Sequence, residues 1–217
     1  MSIPKIVAYP MPAGDELPAN TVGWQPDPDR AALLIHDMQQ YFVDFLPAGA
    51  SPLVPLVANI RRIRETAARL GVPVYYTAQP GGMSPQDRGL LLDVWGPGMD
   101  GDPEKRRIVS ELAPRPGDTV LTKWRYSAFV RSDLAERLAA TGRDQLIVCG
   151  VYAHVGCLMT AGDAFSRDIQ PFLVADAVAD FTAEEHRMAL DYAARRCAAV
   201  LSTGAVLASL GAEHARV

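Results

Sequence analysis

A chain of 217 residues, 49% apolar and 21% charged, suffices for one globular domain with a sizeable core and leaves little room for a second. A formal charge of −4 and a pI near 5.6 exclude the basic field that nucleic acid or an anionic membrane surface would need, so an anionic ligand must be met by local cations. Residues 1–14 hold no apolar run of signal-peptide length, nothing later approaches a membrane span, and three cysteines without metal-type spacing suggest neither disulfides nor zinc; the expectation is a cytoplasmic protein with buried thiols.

In chain order, residues 1–30 are rich in Pro and Asp and read as an irregular arm that ends in the turn Pro26-Asp27-Pro28-Asp29. Short continuous apolar runs follow at 31–37, 72–78, 119–123, 145–151, 171–177 and 198–202, the pattern of strands buried on both faces of a parallel sheet. Between them, helical spacing covers 53–70, 127–140, 155–167 and 182–196. Thr182 with Glu185 has the form of a capping box, Ser84-Pro85 before Asp87 suits a shorter helix start, and Gly71 and Gly142 stand where helix C-caps belong. The alternation predicts one domain over 1–217, an α/β fold of three layers with a mostly parallel, doubly wound sheet flanked by helices. A short helix-like tail runs towards Val217 without a carrier-type extension.

In such a sheet ligands bind at the C-terminal ends of the strands. That rule selects His36-Asp37, Thr77-Ala78-Gln79, Lys123 and Gly150-Val151-Tyr152, which bring an acid, an amide, a cation and a glycine-flanked loop together. Lys123 stands out, since 18 of the 21 basic residues are Arg and a compact ammonium is not interchangeable with a guanidinium. Each also has a plainer reading: Asp37 as a cap, Lys123 as a snorkelling surface cation, Gln79 as a loop opener before Pro80. His36 and His154 lie in apolar stretches and read as hydrogen-bonded structural histidines, while His186 reads as solvated on a polar helix face.

The segments LLIHDMQQYF (33–42), VYYTAQPGGM (74–83), DRGLLLDVWGPGM (87–99), LTKWRYSAF (121–129) and GVYAHVGCLMTAGDAF (150–165) together resemble isochorismatases of the siderophore and phenazine types. The resemblance implies an enol-ether hydrolase, often a homodimer, that works without metal or cofactor on a chorismate-derived dicarboxylate. It assigns Asp37 as general acid with Lys123 beside it, and substrate contacts to Gln79, Arg88, Tyr152 and the backbone at Gly156, with Phe42 and Trp95 as apolar walls. The favoured substrate is 2-amino-2-deoxyisochorismate, and the alternative is isochorismate itself.

Related cysteine amidohydrolases place their nucleophile six residues after the glycine that ends the fourth strand, and here that position is Gly156, with Cys157 one residue late. One residue rotates a helical side chain by about 100°, so Cys157 is expected in the core. Acyl transfer thereby loses its nucleophile, while an acid suffices to protonate a vinyl carbon. A non-catalytic scaffold remains a third reading, weakened because Asp37 and Lys123 are both present. One tension stands: an Asp beside a Lys has a lowered pKa, the wrong direction for an acid, unless substrate carboxylates raise it again.

Overall fold

The computed structural model describes residues 3–212, and the end of the tail, 213–217, lies outside them. Six parallel strands form one sheet: β1 (Ala31–His36), β2 (Val74–Ala78), β3 (Thr119–Thr122), β4 (Gln145–Val151), β5 (Gln170–Ala179) and β6 (Ala199–Leu201). Their order is β3-β2-β1-β4-β5-β6, so chain direction across the sheet reverses between β1 and β4, and the loops leaving those two strands part to opposite sides. The doubly wound fold read from the strand and helix alternation is the one found.

Side chains of β1 alternate between two cores, as a period of two requires. Leu33 and Ile35 pack with Leu56, Ile60 and Ile63 of α2 (Leu53–Arg69) and with Val206 and Leu210 of α9 (Thr203–Ala212). Ala32 and Leu34 face the other way, against Leu134 and Leu138 of α6 (Leu134–Ala140), Leu158 and Ala161 of α7 (Leu158–Phe165) and Leu190 of α8 (Ala183–Arg196). Every residue of β1 and β4 is buried. Burial on both faces fails for β3, an edge strand with only Leu121 buried.

Short helices α1 (Gln40–Val43), α3 (Pro85–Arg88), α4 (Leu91–Trp95) and α5 (Pro103–Arg106) lie in the loops above the C-terminal strand ends. The Ser84 hydroxyl accepts from Asp87 N at 3.1 Å to cap α3, and Thr182 does the same for Glu185 N at 3.1 Å in α8.

Two helices start later than their spacing suggests. Residues 127–133 are irregular because side chains take up the backbone groups: Ala128 N donates to Thr160 Oγ1 at 3.0 Å and Phe129 N to Ser127 Oγ at 3.1 Å. The segment expected as 155–167 opens with a wide π turn over Ala153–Cys157 and becomes α-helical only at Leu158. His186 is a correction too: it is fully buried, its Nε2 3.0 Å from Ala175 O and its Nδ1 3.2 Å from the hydroxyl of Tyr9. The N-terminal arm covers the helix face that was expected to meet water. No described helix is long and apolar enough to cross a membrane.

Candidate active site

Asp37 is the first residue past β1 and Lys123 the first past β3; both are 4% exposed. Lys123 Nζ donates to Asp37 Oδ2 at 2.9 Å. The Thr77 hydroxyl, in β2 between them, donates to Asp37 Oδ1 at 2.6 Å and accepts from Asp37 N at 3.0 Å. Asp37 has a positive φ of 48°, a conformation that Asp tolerates better than most residues and that is found at functional turns. Burial alone would raise the Asp37 carboxyl, but the Lys123 ammonium and the Thr77 hydroxyl hold it below the ordinary carboxylate range. The pair therefore rests as carboxylate and ammonium, each the other's compensation for lost water.

His36, 1% exposed, sits 3.7 Å from Asp37 Oδ2 through Nδ1, which is 2.8 Å from Val151 O. Burial pushes its pKa down to about 4, so the ring is neutral near pH 7.

These groups form the floor of a cavity of about 620 Å³, mouth included, that opens at the β1/β4 reversal. The eight residues singled out in the sequence all line it: Asp37, Lys123, Gln79, Arg88, Tyr152, Gly156, Phe42 and Trp95. Arg88 Nη1 donates to Gln79 Oε1 at 3.2 Å and Nε to Gly96 O at 3.0 Å. The guanidinium lies so close to Gly98 that a Cβ there would come within 2.6 Å of Cζ. Tyr152 gives its hydroxyl to Phe42 O at 2.7 Å, so what it offers the cavity is its ring. Trp95 is not only an apolar wall, because its Nε1 donates to the Tyr126 hydroxyl at 2.7 Å. The Phe181 ring packs with its centroid 4.5 Å from that of Tyr152, tilted by 59°, and completes the aromatic side.

Sequence reasoning missed Phe181, Tyr126 and Arg125 as lining groups, and Gln39, which holds the Gln79 backbone. Gln39 is fully buried; its Oε1 accepts from Gln79 N at 2.7 Å and its Nε2 donates to Gln79 O at 2.9 Å, locking the backbone that carries Gln79. Among the described lining side chains Asp37 is the single carboxylate, against Arg88, Lys123 and Arg125, which leaves three cations less one anion, or a formal excess of +2. A cavity of that charge is complementary to a dianion.

The cysteines stay apart from this chemistry. Cys157 is fully buried in the opposite core, with Ala153, Leu158 and Ala161, and burial pushes its thiol well up. His154, Asp180 and Glu185 are spaced as cation ligands could be, yet the Asp180 carboxylate is already engaged by His154 N, His154 Nδ1 and Phe181 N at 2.7–2.9 Å.

Comparison with known proteins adds three findings. An isochorismatase domain model matches residues 31–205. The chain is 60% identical over 205 residues to the phenazine biosynthesis protein PhzD of Pseudomonas fluorescens, covering 94% of this chain and 98% of that one. It is 56% identical over 210 residues to the isochorismatase of Bacillus subtilis, covering 97% of this chain and 67% of that one. Among solved structures, a cysteine hydrolase from Pseudomonas syringae pv. phaseolicola superposes with a TM-score of 0.79 at 23% identity, over 95% of this chain and 99% of that one, a likeness of fold.

Proposed function

This chain belongs to the isochorismatase family, and within it we propose that the enzyme hydrolyses the enol ether of 2-amino-2-deoxyisochorismate, with isochorismate as a second substrate. The observation that carries the proposal is the buried Asp37–Lys123 pair at the floor of a cavity with two excess positive charges and no side chain at position 156. That site suits a dicarboxylate and a proton transfer, and it offers no nucleophile.

The chemistry then runs on one acid. Asp37, protonated in the complex, gives its proton to the terminal vinyl carbon, and the ether oxygen stabilises the resulting cation. Water adds to that cation and returns a proton to Asp37. The hemiketal collapses with cleavage of the carbon–oxygen bond, giving pyruvate and the ring alcohol, trans-2,3-dihydro-3-hydroxyanthranilate from the amine substrate. Arg88, steadied by Gln79 and Gly96, takes one substrate carboxylate in charge-assisted hydrogen bonds. Lys123 moves its attraction from Asp37 towards the incoming anion, and the substrate's negative charge raises Asp37 into the range of a proton donor. The aromatic side formed by Phe42, Trp95, Tyr152 and Phe181 keeps water down around the cation.

The choice of the amine rests on the near full-length match to the phenazine protein. Discrimination against the hydroxyl compound is weak, because among the described lining residues Asp37 is the sole carboxylate and no second anion is there to serve an ammonium. We also assign the enzyme to the cytoplasm, without a cofactor, as a homodimer; the half-exposed Met159, Met188 and Tyr192 on α7 and α8 support a subunit contact. Following pyruvate release from both compounds at one pH tests the function. Turnover of the amine with a kcat/KM at or above that of isochorismate is expected. A tenfold preference for isochorismate overturns the substrate assignment, and no pyruvate from either overturns the reaction.

A further inference from the structure

Gly156 is needed for an unusual reason. Its backbone is not left-handed, so any side chain could be accommodated by the local conformation. Space is what forbids it: a Cβ built there would lie 2.0 Å from Cε1 of His36, 2.7 Å from Nε2 and 2.9 Å from Nδ1. All three nearest atoms belong to one imidazole. That ring has nowhere to retreat, being 1% exposed and tied through Nδ1 to Val151 O. Positions 36 and 156 thus share one side-chain volume, directly beside Asp37.

We propose that His36 is the residue that selects the reaction class of this cavity: its imidazole occupies the side-chain space of position 156, so the Asp37–Lys123 pair meets substrate as a proton donor and not as the activator of a nucleophile. The glycine removes the nucleophile, and the ring beside it leaves no room for one to be put back. Nothing else in the geometry forbids a nucleophile. His36 Nδ1 lies 3.7 Å from Asp37 Oδ2, and Lys123 Nζ 2.9 Å from the same oxygen, so a thiol in the ring's place would stand next to both a base and a cation. That is the setting that activates cysteine. The neutral ring also leaves the charge of the pair unchanged. The inference rests on Asp37 being the acid of the enol-ether reaction, but its test reads stability and thiol chemistry, so either reading can fail without the other.

The test is a double-mutant cycle. Gly156→Ala, His36→Ala and the double variant are melted beside the parent, with His36→Ser carried in parallel. Gly156→Ala should lower Tm by about 5 °C or more through overpacking, and in the His36→Ala background the same change should cost less than about 2 °C. Gly156→Cys is then treated with iodoacetamide in both backgrounds and the adduct mapped by mass spectrometry. Asp37 takes the thiol proton, the thiolate sulfur bonds to the CH₂ carbon, and iodide leaves. Alkylation at residue 156 should be at least about tenfold faster without the imidazole than with it. Additive melting effects, a Gly156→Ala variant as stable as the parent, or equal alkylation in the two backgrounds would overturn the proposal. So would a double variant that fails to fold where both His36 variants fold.

Discussion

Asp37, Thr77 and Lys123 stand at the ends of three neighbouring strands and are 1–4% exposed, whereas Arg88 and Trp95 stand on helices of four and five residues in a segment that leaves Leu90 79% and Val94 43% exposed. The floor of the cavity is thus placed by the sheet ladder and two cores, and its wall by a handful of polar contacts such as Arg88 to Gly96 and Trp95 to Tyr126. A rigid floor can hold a reacting proton to a fraction of an ångström. A wall of short helices can close on a ligand and let it go. Damage to the floor should therefore appear in the chemical step, and damage to the wall in affinity.

The largest expected effect is on the floor. Asp37→Asn keeps the shape and removes the proton, so kcat for pyruvate release should fall by about 10²–10⁴ while KM moves only a few-fold. A circular dichroism melt controls for the cost of leaving Lys123 without its counter-charge. A kcat within a few-fold of the parent would take Asp37 out of the mechanism.

The wall gives the contrasting result. If Arg88 holds a substrate carboxylate as proposed, Arg88→Ala removes charge-assisted hydrogen bonds of about 1.5–3 kcal/mol each, and should raise KM by roughly 10- to 100-fold with kcat nearly unchanged. A fall in kcat at unchanged KM would place Arg88 with the floor and erase the distinction.

A finer test concerns how the floor is loaded. In the free enzyme the Asp37 carboxyl lies below its ordinary range, held there against its burial by Lys123 and Thr77, so it is ionised near neutrality. On the proposed mechanism a bound dicarboxylate raises it, so binding should take up a proton, and apparent affinity should weaken as pH rises from the free towards the bound value, by up to about tenfold per unit. Calorimetric titration with a non-reactive dicarboxylate analogue, in buffers of different ionisation enthalpy, reads the uptake directly. Uptake near one proton is expected. None would mean that the proton reaches Asp37 from Lys123, within the pair.

The two regions also differed in how far the sequence disclosed them. Continuous apolar runs placed β4 to the residue and β1 to within one, since the run 31–37 takes in Asp37 just past the strand, and the strand-end rule then led to Asp37, Lys123 and Gln79 from general physics. Arg88 and Trp95 followed only from resemblance, since short helices in loops carry no periodicity. Gln39 escaped because an amide in a Gln-Gln pair looks solvated, and its use in clamping Gln79 is set by chain folding alone. His186 was legible and misjudged: it precedes the buried Ala189, Leu190 and Ala193 at helical spacing, on the apolar face of α8. The irregular stretch at 127–133 was not legible, because Thr160, whose hydroxyl takes a backbone donor there, lies 32 residues from Ala128.

Cys157 marks the boundary between floor and core and should give the smallest effect. It immediately follows Gly156, and reading position alone makes it the obvious nucleophile candidate. Yet its side chain packs with Ala153, Leu158 and Ala161 on the far side of the sheet, and burial holds the thiol well above its ordinary pKa. A protonated, enclosed sulfur is neither nucleophile nor acid. Cys157→Ala should leave kcat/KM within about twofold and lower Tm by only about 2–4 °C, the cost of a sulfur-sized void of roughly 1 kcal/mol in a chain of this length. The native enzyme should likewise keep its activity under iodoacetamide at neutral pH. Stoichiometric inactivation by that reagent, prevented by substrate and mapped to Cys157, would move this residue from the core into the reaction and make the floor a site for covalent chemistry after all.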